Sequence, residues 1–226
     1  MAPGDGVSGS KYGILTYMSR ESYKVITKDG VGEIVEKKSR FIGAVYNVES
    51  TDEADAKIAE ISKKYWDARH NCYAYVIGEN SEISKCSDNG EPSGTAGKPI
   101  LEVINGAGIT NALIIVTRYF GGVLLGTGGL VRAYTQAAQA ALADAEVGEK
   151  VFSQKLTLTV GYNMINNVQY YLGQNNIAIA DSRYEADVSF DICVKESDLE
   201  TIKNGLTQKC EGQINITEGD KGYYIL

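Results

Sequence analysis

Residues 111–145 read NALIIVTRYFGGVLLGTGGLVRAYTQAAQAALADA. Through Val116 the stretch is apolar on both alternation faces, the pattern of a central strand buried on both sides. Five glycines then fall within nine residues, Gly121, Gly122, Gly126, Gly128 and Gly129, bracketed by Arg118 and Arg132. A strong helix follows. Leu130, Tyr134, Ala137, Ala138, Ala141 and Ala145 make one face, and Arg132, Gln136 and Gln139 fall on the other.

Upstream, Tyr23 to Val48 is strand-like, with Asp29-Gly30 as a turn signal. The segment 50–65 starts with a capping Ser or Thr and carries Ala56, Ile58, Ala59 and Ile61 at mostly helical spacing. RHNCYAYVIG (69–78) is a strand with Cys72, Ala74 and Val76 on one face and Asn71, Tyr73 and Tyr75 on the other. Cys86 to Ile100 holds Pro92, Pro99, Gly90, Gly94 and Gly97, so it is a loop, with a short helix expected over Pro99–Asn105. Downstream, residues 146–150 read as a short linker. The order is then strand (152–161), helix (163–174), strand (177–184), strand (186–194), helix (196–209) and strand (213–225), a ferredoxin-like β-α-β-β-α-β plan. The expectation is two α+β domains, 20–147 and 149–226, after a small, polar tail over 1–19.

Composition sets the bounds. At 226 residues, 43% hydrophobic and 23% charged, the chain is that of an ordinary soluble globular protein. No run approaches the roughly 18 apolar residues of a membrane span, and the N-terminus lacks a secretory core, so a cytoplasmic protein with no membrane partner is expected. Cys72, Cys86, Cys193 and Cys210 form no C-x-x-C pair, and with His70 they match no common zinc spacing, so reduced thiols and neither metal nor cofactor are expected. The net charge of −7 excludes indiscriminate coating of nucleic acid. From Val103 to Ala143, however, there is no Asp or Glu, only Arg118 and Arg132. Any anion site is therefore local.

A glycine loop that opens a helix offers backbone amides without intrahelical acceptors and a partial positive charge, which suits a phosphate or carboxylate. Arg118 and Arg132 would close on it in bidentate fashion. A tight corner packing helix on sheet explains the same glycines equally well, with Arg118 in a strand-end ion pair and Arg132 on a solvated face. Neither the Walker nor the Rossmann spacing is present. A second group lies in SDNGEPSGTAGKP: Asp88 and Glu91 near Ser93, Thr95 and Lys98. Paired carboxylates hold Mg²⁺ or act as acid and base. Turn chemistry at Asp88-Asn89-Gly90 is the plainer account. His70, the sole histidine, shares a face with Cys72; a nucleophilic pair is conceivable, a core-edge histidine more so. Arg69, Tyr73 and Tyr75, if their face is open, suit base stacking.

KKSRFIG (37–43), DARHNCYAYVIG (67–78), SDNGEPSGTAGKPIL (87–101) and IIVTRYFGGVLLGTGGLVRAY (114–134) together closely resemble the YigZ/IMPACT family, strongly over about residues 20 to 145. The resemblance implies an N-terminal α/β-sandwich domain of the type found in certain ribosomal proteins and elongation factor G, followed by a ferredoxin-like domain. Eukaryotic members regulate translation initiation by antagonising activation of a stress kinase, and they associate with ribosomes. They carry an additional N-terminal RWD domain, for which this chain has no room, so the kinase-antagonist role is not expected here. What the resemblance implies is a non-enzymatic, translation-associated protein that binds RNA, the ribosome or a translation factor. Its anion site would comprise Arg118, Gly121, Gly122, Gly126, Thr127, Gly128, Gly129 and Arg132, helped by Arg40, Arg69 and Lys98, with Tyr73 or Tyr119 stacking. The alternative is an enzyme acting on a phosphorylated small molecule, with the loop as phosphate site and Asp88 and Glu91 holding a metal. A third reading is a protein-interaction module built on the acidic second domain.

Overall fold

The computed structural model describes residues 20–226, and the tail expected over 1–19 lies outside them. Among the described residues, two antiparallel sheets and five α-helices make a mixed α+β architecture. The first sheet has the order β2 (Gly30–Glu36), β3 (Ser39–Asn47), β6 (Ala112–Tyr119), β4 (His70–Ile77) and β5 (Ile83–Ser87). Its centre is β6, buried without interruption from Ala112 to Arg118, which is why the sequence shows no alternation there. Leu113 and Ile115 pack with Tyr75 and Ile77 under α1 (Thr51–Lys64) on one face. Ala112, Ile114 and Val116 join the core under α2 (Gly97–Ala107) and α3 (Thr127–Asp144) on the other. The face carrying Tyr73 and Tyr75 is thus covered by α1 and is not an open stacking platform.

Side-chain volume sets the seat of α3. Its buried face is Leu130, Ala133, Tyr134, Ala137, Ala138 and Ala141. A Cβ on Gly43 would strike the Ala137 carbonyl, and one on Gly32 would strike the Ala140–Ala141 backbone. Helix and strands therefore meet backbone to backbone. The α1 helix has ordinary ends: Ser50 Oγ accepts from the Glu53 amide at 3.2 Å, Asp52 and Glu53 fill the first turn, and Lys63 and Lys64 the last. By contrast α3 starts at Gly126 (φ 72°) with no side-chain cap and no acidic residue in its first turn.

The second sheet has the order β1 (Ser22–Lys28), β7 (Glu146–Val160), β9 (Val188–Lys195), β8 (Ile179–Tyr184), with β10 (Asn215–Ile225) on the other edge of β7. With α4 (Ile165–Gln174) and α5 (Leu199–Lys209), residues 146–225 follow the expected β-α-β-β-α-β order. Val168, Leu172, Ile202 and Leu206 of the helices bury Leu156, Leu158, Phe190 and Ile192. Two expectations change. The segment 146–150 is the start of the 15-residue β7, not a linker. The strands expected over 23–48 divide between the sheets: β1 pairs with β7, Ser22 opposite Val151. Yet Ile26 of β1 belongs to the first core, and the Asn47 side-chain amide donates to the Ile26 carbonyl at 2.7 Å. Thus β1 joins the two layers.

Two connections on the first sheet carry unusual chemistry. The β2–β3 hairpin turns through Lys37 (φ 45°) and Lys38 (φ 66°). A two-residue hairpin of this hand demands positive φ at both central positions and favours Asn-Gly, so two lysines sit in a costly conformation. The loop between β5 and α2 is ordered by Asp88. Its Oδ2 accepts from the Gly94 amide at 2.8 Å, and its Oδ1 from the Ala96 and Gly97 amides at 2.9 Å each. Burial pushes the Asp88 carboxyl up, but the three amides together outweigh it and hold it below the ordinary aspartate value.

Lys37→Asn/Lys38→Gly is expected to stabilise the protein by about 0.5–1 kcal/mol, read from urea or thermal unfolding. Because the Asp88 carboxyl is depressed in the folded protein, its contribution is complete above the unfolded-state value of about 3.9 and disappears as pH falls through the lower folded value. Asp88→Asn should abolish that component of acid destabilisation; an unchanged pH–stability curve below pH about 4 would contradict the assignment.

Candidate functional site

The four stretches quoted above meet at one end of the first sheet. There β2 passes into β3, β4 begins, β5 runs into the Asp88 loop, and β6 passes into the glycine loop and α3. Between the Asp88 loop and the glycine loop lies a cleft of about 410 Å³. Its polar lining is Arg69, His70, Glu91 and Arg118; its apolar walls are Pro92, Phe120, Leu124, Leu125 and Leu130, and Gly90 with Gly126 and Thr127 of the α3 start complete it.

Arg118 and Glu91 lie at its base, their side chains 7% and 3% exposed, with Nη1 to Oε1 at 2.6 Å. The Tyr134 hydroxyl donates to the same Oε1 at 2.8 Å, and His70 Nε2 stands 3.9 Å from it. The Cys72 thiol donates to the Asp88 carbonyl at 3.0 Å and contacts the Tyr134 hydroxyl at 3.4 Å. His70 Nδ1 lies 2.8 Å from the Asn89 carbonyl oxygen. Arg118 Nη2 reaches Ser39 Oγ at 3.4 Å, and Ser39 Oγ accepts from the Gly121 amide at 3.1 Å. The guanidinium lies over Phe41 at 5.3 Å and Phe120 at 5.5 Å. Arg118 Nε is the one buried side-chain nitrogen or oxygen without a partner among the described residues.

This chemistry separates roles. Burial pushes the Cys72 thiol up to about 12, with the nearby Glu91 and Asp88 charges adding to it. A thiol so held is not a nucleophile at neutral pH. Burial, then Cys72 and Glu91, raise the Tyr134 phenol far above its ordinary value, so it serves as a donor. Asp88 is consumed by three amides and is no metal ligand. No group of three or more His, Cys, Asp or Glu among the described residues could hold a metal ion.

The residues singled out in the sequence part company here. Arg118, Glu91, Arg69, Gly126 and Thr127 share the cleft. Gly128 and Gly129 form the first turn of α3. Gly121 instead seats the loop, for a Cβ there would strike the Lys38 carbonyl group, and Gly122 (φ 83°) serves the turn. Arg118 is not free to clamp an anion with both arms, since Glu91 holds Nη1. Arg132 lies on the exposed side of α3, outside the cleft lining, its guanidinium folded back beside Gly128. Arg40 is exposed and forked on Glu33 at 2.7 and 2.8 Å. Lys98 and Ser93 are exposed away from the cleft, and Thr95 donates to the Pro92 carbonyl at 2.6 Å. The Tyr119 hydroxyl is bonded to Asp67 at 2.8 Å. Sequence reasoning missed Ser39, Tyr134 as a polar partner, and the apolar wall Phe120, Leu124 and Leu125. Tyr134 had a signal: a tyrosine on an alanine-rich buried face needs a partner for its hydroxyl.

Comparison with known proteins agrees with the four motifs. Residues 37–142 match the Impact N-terminal domain, and residues 158–213 match a domain of unknown function, DUF1949. The IMPACT family member YvyE of Bacillus subtilis strain 168 is 37% identical over 202 residues, which is 89% of this chain and 93% of that protein. The IMPACT family member YigZ of Escherichia coli K12 is 34% identical over 182 residues, 80% of this chain and 89% of that one. A crystal structure described only as that of a hypothetical protein superposes with a TM-score of 0.58 at 32% identity, covering 89% of this chain and 98% of that chain. With its cleft formed by the segments that carry these matches, the chain belongs to the IMPACT family.

Proposed function

We propose that this protein is a translation-associated binding protein that receives an anionic group, in the first instance a phosphate of RNA, in the cleft between the Asp88 and glycine loops. Its targets are RNA, the ribosome or a translation factor. The observation that carries the reading is Arg118 Nε, a buried guanidinium nitrogen with no partner, on a residue that lines the cleft into which the uncapped α3 opens. Arg69 and Arg118 stand against the single carboxylate Glu91, so the Arg and Glu of the lining leave one formal positive charge. The first-turn amides of an 18-residue helix add their partial positive charge. The order β10-β7-β9-β8 around a β-α-β-β-α-β chain supports a ferredoxin-like second unit. The first sheet with helices on both faces supports the ribosomal-protein and elongation-factor G type. These likenesses are analogies of fold. No helix of the described residues is long and apolar enough to cross a membrane.

The size and apolar wall of the cleft favour one other reading, a phosphorylated small molecule with an apolar part. Glu91 would then act beside it, held by Arg118 and Tyr134. Melting temperatures that stay flat across nucleotides and phosphorylated metabolites would remove it.

Thr127→Asp tests the main reading. It adds a carboxylate to the first turn of α3 and should leave the protein as stable or up to about 1 kcal/mol more so. It should also abolish salt-sensitive co-sedimentation with ribosomes. Pelleting equal to wild type would refute the cleft as the contact. Arg118→Ala is expected to be a folding variant instead, costing about 3–5 kcal/mol because Glu91 stays buried without its cation.

A further inference from the structure

Beside the cleft, the same end of the sheet presents a face that shares Arg69, Arg118 and Phe120 with it and carries further cations that none of the roles above uses. Segments 37–40, 63–70 and 118–132 carry eight Lys and Arg against one Asp, in a chain of net charge −7. Contacts bring them together. The Lys38 carbonyl group abuts Gly121, the Tyr119 hydroxyl binds Asp67 at 2.8 Å, and Arg69 lines the cleft itself. Glu33 and Glu91 occupy Arg40 and Arg118, and the single carboxylate, Asp67, is taken by Tyr119. Lys37, Lys38, Lys63 and Arg69 are exposed and, among the described residues, make no ion pair. The segment between Lys63 and Arg69 also carries Trp66, 82% exposed and the only tryptophan of the chain, and Phe120 at the cleft mouth is 44% exposed.

An indole this open contributes little to folding and is free to be covered by a partner, and the unpaired cations of its own and adjoining segments favour an anionic one. We infer that this face binds single-stranded RNA, with Trp66 stacking on an unpaired base and Lys37, Lys38 and Arg69 contacting phosphates as the strand runs toward the cleft. The inference rests on the cleft reading and extends it to a partner. A stacked duplex offers no free base face, whereas a single strand offers one at every nucleotide, which any aromatic ring accepts. The Lys37-Lys38 turn accords with this: an Asn-Gly turn would be easier to fold but would carry no charge.

Because Trp66 is the sole tryptophan, its fluorescence reports on the contact directly. Titrating the full chain with an oligouridylate of about 12 nucleotides at low salt should quench it saturably, and a base-paired RNA of equal length should not. With a labelled strand, Trp66→Ala should bind roughly tenfold or more weakly. Lys37→Asn/Lys38→Gly should lower the slope of log affinity on log salt by about 1.4, two single-strand phosphate contacts, while its stability does not fall. Three results would overturn the inference: no binding of the strand at low salt, binding without quenching and unaffected by Trp66→Ala, or tighter binding of the duplex. If ribosome pelleting is still lost in Thr127→Asp under any of them, the cleft reading stands alone. If instead Thr127→Asp pellets like wild type while the strand quenches Trp66, the face stands and the cleft role falls.

Discussion

A carboxylate 3% exposed persists only where donors and a cation surround it, and at Glu91 they come from two other parts of the chain. Arg118 arrives from the central strand β6, Tyr134 from α3, and Glu91 itself from the Asp88 loop. The ion pair fixes the distance between two loops that would otherwise be independent, and the space left between them is the cleft. Its net contribution to stability is small, because desolvating both charges offsets most of their attraction. Its contribution to geometry is large. Alternative placements of either loop strand a buried charge, so the pair acts by excluding them.

That arrangement depends in turn on how closely α3 approaches the sheet. Tyr134 reaches Glu91 because the helix lies directly on β2 and β3, with glycine beneath alanine. A larger residue at Gly32 or Gly43 would lift the helix and withdraw the hydroxyl. The glycine loop is then a consequence of two demands. Gly121 lets the loop pass against the Lys38 carbonyl group, and Gly126 with φ 72° turns the chain into α3. The packing corner posed in the sequence is present, and it does not exclude the anion site proposed there: the tight corner leaves the first turn of the helix bare.

What could be read from the sequence follows from the range of the interactions. The continuous apolar run of β6 and the alanine face of α3 are local patterns, and both stand as read. The β-α-β-β-α-β order also came from local signals. The sheet that β1 joins did not, because Tyr23, Val25 and Ile26 show only that a strand is half-buried, and its partner lies more than a hundred residues away in β7. Period-two alternation in β4 could not say that α1 covers Tyr73 and Tyr75. Glu91 was legible only as a neighbour of Asp88, because its cation lies 27 residues distant. Within the site, the glycines were legible as unusual backbone. The ion pair that joins the two loops, and the displacement of Arg132 from the cleft, were not.

The features left over share a sign. Helix α1 has a serine cap and charges matched to its dipole, whereas α3, longer and more central, begins bare. The turn between β2 and β3 carries lysines where Asn-Gly would fold more easily. Leu124 and Trp66 stand 83% and 82% exposed within one end of one sheet. Each departs from what stability alone favours, and each lies at the end where the cations gather. Local rules fail together where the sequence serves something other than the fold. In the reading proposed above, a bare helix start, unpaired lysines and an open indole are the donors and faces that a ligand rich in anions and aromatic rings would meet.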